Sequence, residues 1–305
     1  MLIFATSDKG GTGRSVTSCN LAYRRALQGS DVCYLDFDFG SPTAGAVLHI
    51  SSVFQGTRDG GLHSYLRGTV AEPQQLDVWS ESERNSLRAR PPGAGRLVLV
   101  PGDAGGGEFA SHPDVVGRCA KLLLRLQEEF DLCLIDLSAG RSYATEIVLA
   151  AMAEPELRST VGRWLVFHRW TRQHITAAAD LVFGEHGIIA AGANRGHDRR
   201  TLANSIRFVR TVVVDPNSPD LTSLRAPQVA WLRGCNEELQ RLASRCGIGR
   251  TVVLGSIPLD PVLQWQEQLI TDDDVLERQI ANPRTVEAFT ELAARLTDDQ
   301  AWAGL

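Results

Sequence analysis

The residues with the clearest chemical potential follow the first apolar run of the chain, in the segment Ser7-Asp-Lys-Gly-Gly-Thr-Gly-Arg-Ser. A glycine-rich turn between a strand and a helix lets several backbone N–H groups converge on one anion, and the helix N-terminus adds a favourable dipole. Gly10, Gly11 and Gly13 give a tight spacing, and Ser15 opens the helix. The pattern predicts a phosphate-binding loop, although two adjacent glycines alone would fit a plain turn equally well.

Acidic residues end two other apolar runs. Asp36 and Asp38 close the segment Tyr34-Leu-Asp-Phe-Asp, and Asp136 closes the run that begins at Leu132. Carboxylates at positions i and i+2 of a strand point the same way, and the carboxyl ends of parallel strands face the ligand crevice of the sheet. These acids are therefore candidates for chemistry beside a bound phosphate. The alternative for the Asp36 and Asp38 pair is that both cap a loop.

Elements that would position these residues recur along the whole chain. Short, continuous apolar runs alternate with helical patterns, which is typical of a parallel sheet covered on both faces. The predicted fold class is α/β, a doubly wound and mostly parallel sheet with helices on both faces. The predicted strands are residues 2–5, 32–35, 97–100, 132–135, 164–167, 208–214 and 252–254. The predicted helices are residues 15–27, 115–129, 172–183, 228–245 and 283–295.

Two stretches lack periodicity, residues 80–95 and 184–204, and we expect both to be irregular. Strand and helix patterns continue unchanged on either side of each stretch, so neither reads as a domain linker. We expect one nucleotide-binding domain over residues 1–298 and a short C-terminal tail over residues 299–305.

Composition restricts the class of protein. Of 305 residues, 43% are hydrophobic and 22% are charged, as in ordinary soluble globular proteins. The sequence contains no apolar run of about 18 residues and no readable secretory leader, which predicts a cytoplasmic protein. Six scattered cysteines without a Cys-x-x-Cys pair indicate reduced core thiols. A net charge of −5 argues against nucleic acid covering the whole surface.

The glycine-rich segment resembles the deviant Walker A motif of the ParA/MinD family of P-loop ATPases, Lys-Gly-Gly-x-Gly-Lys-Ser/Thr. The match covers Lys9, Gly10, Gly11, Thr12, Gly13 and Ser15. Arg14 stands where the family has its second lysine, which contacts the β- and γ-phosphates. The Asp36-Phe-Asp38 segment resembles the family's switch, and the run ending at Asp136 resembles a Walker B strand. The resemblance implies a P-loop NTPase fold of the SIMIBI, ParA-like type, with ATP and Mg²⁺ as cofactors.

The resemblance also implies roles for single residues. Lys9 would reach across a nucleotide sandwich to the phosphates of a partner subunit, Asp38 would orient the attacking water, and Arg14 would complete the catalytic set. Magnesium would be held by the Ser15 hydroxyl directly, by Asp136 through water, and by Asp36 as support for its hydration shell. The implied nucleotide-binding residues are Gly10, Gly11, Thr12, Gly13, Arg14, Ser15 and Val16.

Two departures from the family pattern leave questions open. Arginine at position 14 keeps the positive charge, but its planar head is wider than an ammonium. Phosphoryl transfer depends on accurately placed charge, so nucleotide binding is expected while the rate of hydrolysis stays open. Residues 211–217 stand where the family reads the base, but Val214-Asp-Pro-Asn departs from the usual asparagine-centred form. Base identity therefore stays open as well.

The function implied by the resemblance is an ATP-dependent dimerisation switch that positions or partitions DNA or a protein cargo. The alternative is a non-catalytic nucleotide-binding scaffold, a pseudo-ATPase that regulates a partner protein. A dethiobiotin synthetase-like ligase of the same superfamily is a third possibility, against which Lys9 and the two strand-end acids Asp36 and Asp38 speak.

The expected partners are a second copy of the chain, in a homodimer that sandwiches nucleotide, and a protein partner or cargo. Non-specific DNA binding is a further prediction, with a solvated arginine face as its alternative. The arginines concerned are Arg163, Arg169, Arg172, Arg199, Arg200, Arg207 and Arg210. The C-terminal residues carry acids where a basic amphipathic helix would need lysines, so we expect no membrane anchor.

Overall fold

The sheet has eight strands. The structure, a computed structural model, describes residues 1–216, 218, 221 and 224–303. The strands are β1 (Leu2–Ser7), β2 (Val32–Phe37), β3 (Leu76–Asp77), β4 (Leu97–Val100), β5 (Leu132–Leu137), β6 (Gly162–Arg169), β7 (Ile206–Val213) and β8 (Val253–Pro258). Their order is β3-β4-β2-β5-β1-β6-β7-β8. Only β3, paired with β4, is antiparallel among the described strands. The predicted mostly parallel α/β sheet is confirmed.

Helices connect the strands and cover both faces of the sheet. They are α1 (Arg14–Leu27), α2 (Ala44–Val47), α3 (Leu62–Leu66), α4 (Val78–Glu81), α5 (Pro113–Glu129), α6 (Tyr143–Ala153), α7 (Arg172–Phe183), α8 (Ile188–Ala193), α9 (Arg199–Asn204), α10 (Ala226–Arg245), α11 (Val262–Trp265), α12 (Asp272–Leu276), α13 (Pro283–Arg295) and α14 (Asp299–Trp302). The five predicted helices correspond to α1, α5, α7, α10 and α13. The seven predicted strands are also present, and the short edge strand β3 is additional.

Alternating side chains of each central strand supply two separate cores. In β1, Leu2 and Phe4 belong to the core under α5, α6 and α7, whereas Ile3 and Ala5 belong to the core under α1 and α13. Strands that are apolar on both faces are what a doubly covered parallel sheet requires. This arrangement places β1 in the middle of the sheet, between β5 and β6, with its carboxyl end open to the loop before α1.

The expectation of irregular structure over residues 184–204 was wrong. Two short helices, α8 and α9, lie there, and the Asp198 side chain caps α9 by accepting a hydrogen bond from the amide of Thr201 at 2.8 Å. Residues 80–95 are mostly without regular structure, apart from the end of α4 and a 3₁₀ turn at Asn85–Leu87. Short helices of about six residues give too few turns for a hydrophobic period to be read from sequence.

Further features bear on the expectations from composition. All six cysteines are free; Cys19, Cys33, Cys119 and Cys133 are buried, while the other two are partly exposed. Among the described residues, no helix combines the length and apolarity needed to cross a membrane. The last residues, expected to form a tail, include α14, whose Trp302 is buried.

Candidate functional site

The loop between β1 and α1 presents backbone amides to open space. Gly11 and Gly13 have φ of 70° and 74°, a left-handed conformation that favours glycine. A Cβ added at Gly10 or Gly11 would meet nothing within 4 Å. Within the described part of the chain, the amides of residues 10–13 donate no hydrogen bond to another group. Unpaired amides at a helix N-terminus are suited to bind an anion.

Hydrogen bonds to neighbouring elements fix the carbonyl groups of the same loop. The Thr211 hydroxyl on β7 donates to the Thr12 carbonyl at 2.6 Å, and the Gly140 amide donates to the Ser7 carbonyl at 2.7 Å. The Ser7 hydroxyl donates to the Lys9 carbonyl at 3.0 Å. The carbonyl oxygens of Ser7, Lys9 and Thr12 thus accept hydrogen bonds within the protein, whereas the amides of the loop stay available to a ligand. Thr211 was predicted only as part of the base-reading segment 211–217, and nothing in its local sequence indicates this long-range contact with the phosphate loop.

A cavity of about 170 Å³ lies in front of the loop. It is smaller than the roughly 300–1,000 Å³ of sites that enclose a whole drug-sized ligand, and therefore suits phosphate groups better than a complete nucleotide. Its lining comprises Ser7, Gly10, Gly11, Thr12, Gly13, Arg14, Ser15, Val16, Asp38, Thr43, Val47, Ala139 and Glu267. Larger hollows of about 700 and 780 Å³ lie elsewhere and contain none of the motif residues. Chemistry, not volume, identifies the site.

The guanidinium of Arg14 lies between two carboxylates at the edge of this cavity. Its Nε donates to Asp136 Oδ1 at 2.5 Å, and its Nη2 donates to Asp38 Oδ2 at 2.7 Å and to Ser15 Oγ at 3.3 Å. Burial by itself would lower the pKa of Arg14, but the charges of Asp136 and Asp38 outweigh burial, so the pKa is raised above its usual value. Residues predicted from three separate segments therefore meet at one side chain.

The second oxygen of Asp136 and both oxygens of Asp36 accept hydrogen bonds from other groups. The Tyr34 hydroxyl donates to Asp136 Oδ2 at 2.9 Å, while Asp36 accepts from the amides of Ala44 at 3.0 Å and Asp38 at 3.3 Å. Burial and the neighbouring Asp136 raise the pKa of Asp36 to about 8. Tyr34 was missed from sequence, although its position two residues before Asp36 places it on the same face of β2.

The predicted magnesium set does not fit a metal ion in this arrangement. Both carboxylate oxygens of Asp36 accept hydrogen bonds from backbone amides, and both Ser15 and Asp136 are hydrogen-bonded to the Arg14 guanidinium. Among the residues that the structure describes, no group of three or more His, Cys, Asp or Glu side chains is placed to hold a metal. Magnesium prefers oxygen ligands in octahedral geometry. Here the positively charged guanidinium of Arg14 already lies among the candidate oxygens. The loop amides, in contrast, do fit a phosphate.

Lys9 lies outside the residues that line the cavity. It is half-buried, and its charge is close enough to His174 on α7 to help lower the pKa of that histidine, after burial and Arg169. Lys9 therefore lies near His174 of α7 and does not line the cavity in front of its own loop.

The predicted base-reading segment is described only in part. Thr211 binds the phosphate loop, and the next residue, Val212, has φ of 55° at an irregularity between β7 and β8. A left-handed conformation is uncommon for a β-branched residue and marks local strain. Asn217, the last residue of the predicted segment, lies outside the described residues.

Three of the arginines predicted to contact DNA are buried, so their assignment to a DNA-binding face was wrong. Arg163 donates to the Leu296 carbonyl at 2.5 Å and pairs with Asp299 at 2.5 Å, and Arg207 donates to the Ala301 and Ala303 carbonyls. Both guanidinium groups stack on the Trp302 ring, at 4.8 and 5.5 Å from its centroid. Guanidinium planes pack well on indole faces, and here they anchor α14 to the sheet.

Arg210, the third buried arginine, stacks on Trp170 at 4.0 Å. The other predicted DNA contacts reach solvent to different degrees: Arg172, Arg199 and Arg200 are exposed, and Arg169 is half-buried. Arg169 is the last residue of β6 and Arg172 begins α7 shortly after it, whereas α9, with Arg199 and Arg200, leads into the amino end of β7. They do not form one continuous stripe, because opposite ends of parallel strands lie at opposite edges of the sheet.

Comparison with known proteins identifies the fold. No protein-family model and no curated protein matches the sequence. Similar solved structures include the MinC:MinD cell division complex of Aquifex aeolicus, at 17% identity and TM-score 0.59, covering 97% of this chain and 95% of that chain. An ATP complex of McdA from Cyanothece is similar at 17% identity and TM-score 0.57, covering 97% and 95%. A ParA family ATPase from Chlorobium tepidum is similar at 13% identity and TM-score 0.52, covering 96% and 98%. The chain therefore has the fold of the MinD and ParA proteins, at identities that establish the fold alone.

Proposed function

We propose that this chain is an ATP-dependent dimerisation switch of the ParA/MinD type, which positions DNA or a protein cargo. The observation that carries the proposal is the loop of residues 10–13, which lines a cavity at the N-terminus of α1 and whose amides donate no hydrogen bond to another described group. Similarity to MinD and to the ATP complex of McdA supports ATP as the ligand. The MinD structure is a complex with MinC, which supports a protein partner by analogy.

Residues of the phosphate loop, together with Lys9 and Asp38, have parts in this proposal. Amides of residues 10–13, with those of Arg14, Ser15 and Val16 in the first helical turn, would hold the phosphates. Lys9 would serve the partner subunit, and its position outside its own cavity supports that assignment. Asp38 would orient water near the terminal phosphate once ATP is bound. The cavity suits phosphates only, so the base and ribose would lie outside it, against the dimer partner or segment 211–217.

A non-catalytic scaffold is the second candidate, and one observation favours it. Asp38 is held by Arg14 at 2.7 Å, so its charge is already neutralised and one of its oxygens is engaged. A carboxylate in this state is poorly placed to position an attacking water. In the scaffold version, the chain binds ATP and dimerises but releases no phosphate.

Purified protein tests both candidates in one set of assays. ATP affinity is measured by calorimetry, dimerisation by light scattering and turnover by phosphate release, for the parent, Lys9→Ala and Arg14→Lys. The switch predicts dimerisation and turnover in the parent, both lost in Lys9→Ala. The scaffold predicts binding and dimerisation without phosphate release, with release restored in Arg14→Lys. Absence of ATP binding in the parent would refute both.

DNA as cargo is the least supported part of the proposal, because it depends only on Arg169, Arg172, Arg199 and Arg200. Phosphate contacts release counterions, so such binding must weaken steeply as salt rises. A DNA-binding curve that is insensitive to salt, or unchanged by Arg199→Ala combined with Arg200→Ala, would remove those two arginines from the interface.

A further inference from the structure

The position predicted for magnesium is filled by a cation of the chain itself. Arg14 is buried, and its Nε and Nη2 atoms bond to Asp136, Asp38 and Ser15, two of which are predicted magnesium ligands and one the predicted water-orienting acid. Asp136 and Asp38 lie at the ends of two different strands, and Ser15 lies in the first turn of α1, next to Arg14 itself. A planar guanidinium matches two carboxylates in this way because its N–H groups form a rigid fork.

The same guanidinium still has donors for a ligand. Among the described residues, Nη1 of Arg14 has no hydrogen-bond partner, and Arg14 lines the phosphate-sized cavity. One side chain therefore links the acidic cluster to the place where a phosphate would bind. A divalent cation usually makes that link between strand-end acids and nucleotide phosphates.

We infer that Arg14 replaces the metal as counter-ion, so that this chain binds ATP without a divalent cation. The inference rests on the proposed nucleotide-binding function. Magnesium would have to displace Arg14 from the buried Asp136 and from the partly exposed Asp38 before it could reach Asp136, and the freed guanidinium would then lack its partners. The pairing also holds Asp38, and with it the loop after β2, before any nucleotide arrives.

Calorimetric titration with ATP tests the inference in two buffers, one with excess magnesium chloride and one with EDTA. For the parent, the dissociation constants in the two buffers should agree within about twofold. For Arg14→Lys, whose compact ammonium cannot bridge both acids, binding should be at least about tenfold tighter with magnesium, a difference of about 1.4 kcal/mol. Arg24→Lys is the matched control, because Arg24 is another buried arginine of α1, paired with Asp272 at 2.6 Å away from the loop. It should behave like the parent.

The possible failures are distinguishable. A parent that binds ATP about tenfold more tightly with magnesium overturns the inference while nucleotide binding stands. A parent that binds ATP in neither buffer overturns the inference and the proposed function together. If Arg14→Lys is as indifferent to magnesium as the parent, the guanidinium is not the cause and the inference falls. Should Arg14→Lys fail to fold, the two parent titrations still decide, because they need no variant.

Discussion

Two regions of the molecule contain buried arginines that were expected to face anionic partners. One holds Arg14, at the carboxyl edge of the sheet; the other holds Arg163 and Arg207, at the amino ends of β6 and β7. Arg14 meets two carboxylates and lines a cavity. Arg163 and Arg207 meet backbone carbonyls of the C-terminal residues and the Trp302 ring, and Arg163 also pairs with the exposed carboxylate of Asp299. The motif around Arg14 indicated its place beside the phosphate loop, whereas no motif surrounds Arg163 or Arg207. For all three, the neighbours in space decide what the side chain does.

The arginine side chain has a different role in each region because its contact partners differ. Carboxylates that need neutralising make Arg14 a counter-ion, and its remaining N–H groups stay available to a ligand. Arg163 and Arg207 contact backbone carbonyls and the indole face of Trp302, and through these contacts they hold α14 against the sheet. The first arrangement should matter for both stability and ligand binding, whereas the second should matter for stability alone.

Removal of Arg14 should have the largest effect. Arg14→Ala leaves Asp136 and Asp38 without their counter-ion, and breaking a buried pair in this way typically costs about 3–5 kcal/mol. Urea unfolding of the protein without nucleotide measures the loss. Arg14→Lys keeps the charge and should lose less. A loss for Arg14→Ala below about 1 kcal/mol would mean that the acids do not depend on Arg14.

Truncation of Trp302 is the matching test at the other edge. Trp302→Ala removes a buried ring that supports both Arg163 and Arg207, and large-to-small changes of this kind cost about 3 kcal/mol or more. Trp302→Phe keeps a ring and should lose clearly less. ATP affinity should be unchanged in both variants; a weakened affinity would show that the two regions are coupled.

His168, near the carboxyl end of β6 and close to the buried Arg210, should make stability depend on pH. Burial, with a contribution from nearby Arg210, lowers the pKa of His168 from 6.5 to about 4. Between these values the unfolded chain holds a proton that the folded chain does not, so stability falls as pH decreases from about 6.5 toward 4. The slope contributed by His168 is at most about 1.4 kcal/mol per pH unit. Unfolding of His168→Phe across this range should show a shallower dependence, and an identical slope would contradict the assignment.

The smallest expected effect is at the contact between the carboxyl end of β7 and the phosphate loop. Thr211→Val removes the hydroxyl that donates a hydrogen bond from β7 to the Thr12 carbonyl. The loss should lower the free energy of unfolding by about 1 kcal/mol. Because this bond helps to fix the phosphate loop, ATP affinity should also fall by a few-fold. Thr290→Val is a control, since its hydroxyl bonds within an exposed helix turn at Val286. Equal stability and affinity in Thr211→Val and the parent would remove Thr211 from the site.

Local signals explain what could be predicted of the fold. The run before Ser7, the glycines with positive φ and the amphipathic faces of α1 and α5 are each contained in a short window, so β1, the loop and both helices were found. Helix α6 was missed because it is apolar on nearly all sides and shows no helical period. Strand β3, with two residues, is too short for a pattern.

The partners of side chains could not be predicted in the same way. Arg14 bonds to Asp136, which is 122 positions further along the chain, and to Asp38, which is 24 positions away. Sequence identified all three as site residues, but only the packing of β2, β5 and α1 shows that the arginine lies among the acids. The burial of Arg163 and Arg207 has the same origin, because the side chain that covers them, Trp302, belongs to the final helix.

A crystal structure of the protein with a slowly hydrolysed ATP analogue and Mn²⁺ tests the central claim most directly, through the anomalous signal of manganese beside Asp136. The account predicts phosphates on the amides of residues 10–13, Arg14 still bonded to Asp136 and Asp38, and no manganese peak between Ser15 and Asp136. A strong peak there, with the Arg14 guanidinium moved away from both carboxylates, would contradict it.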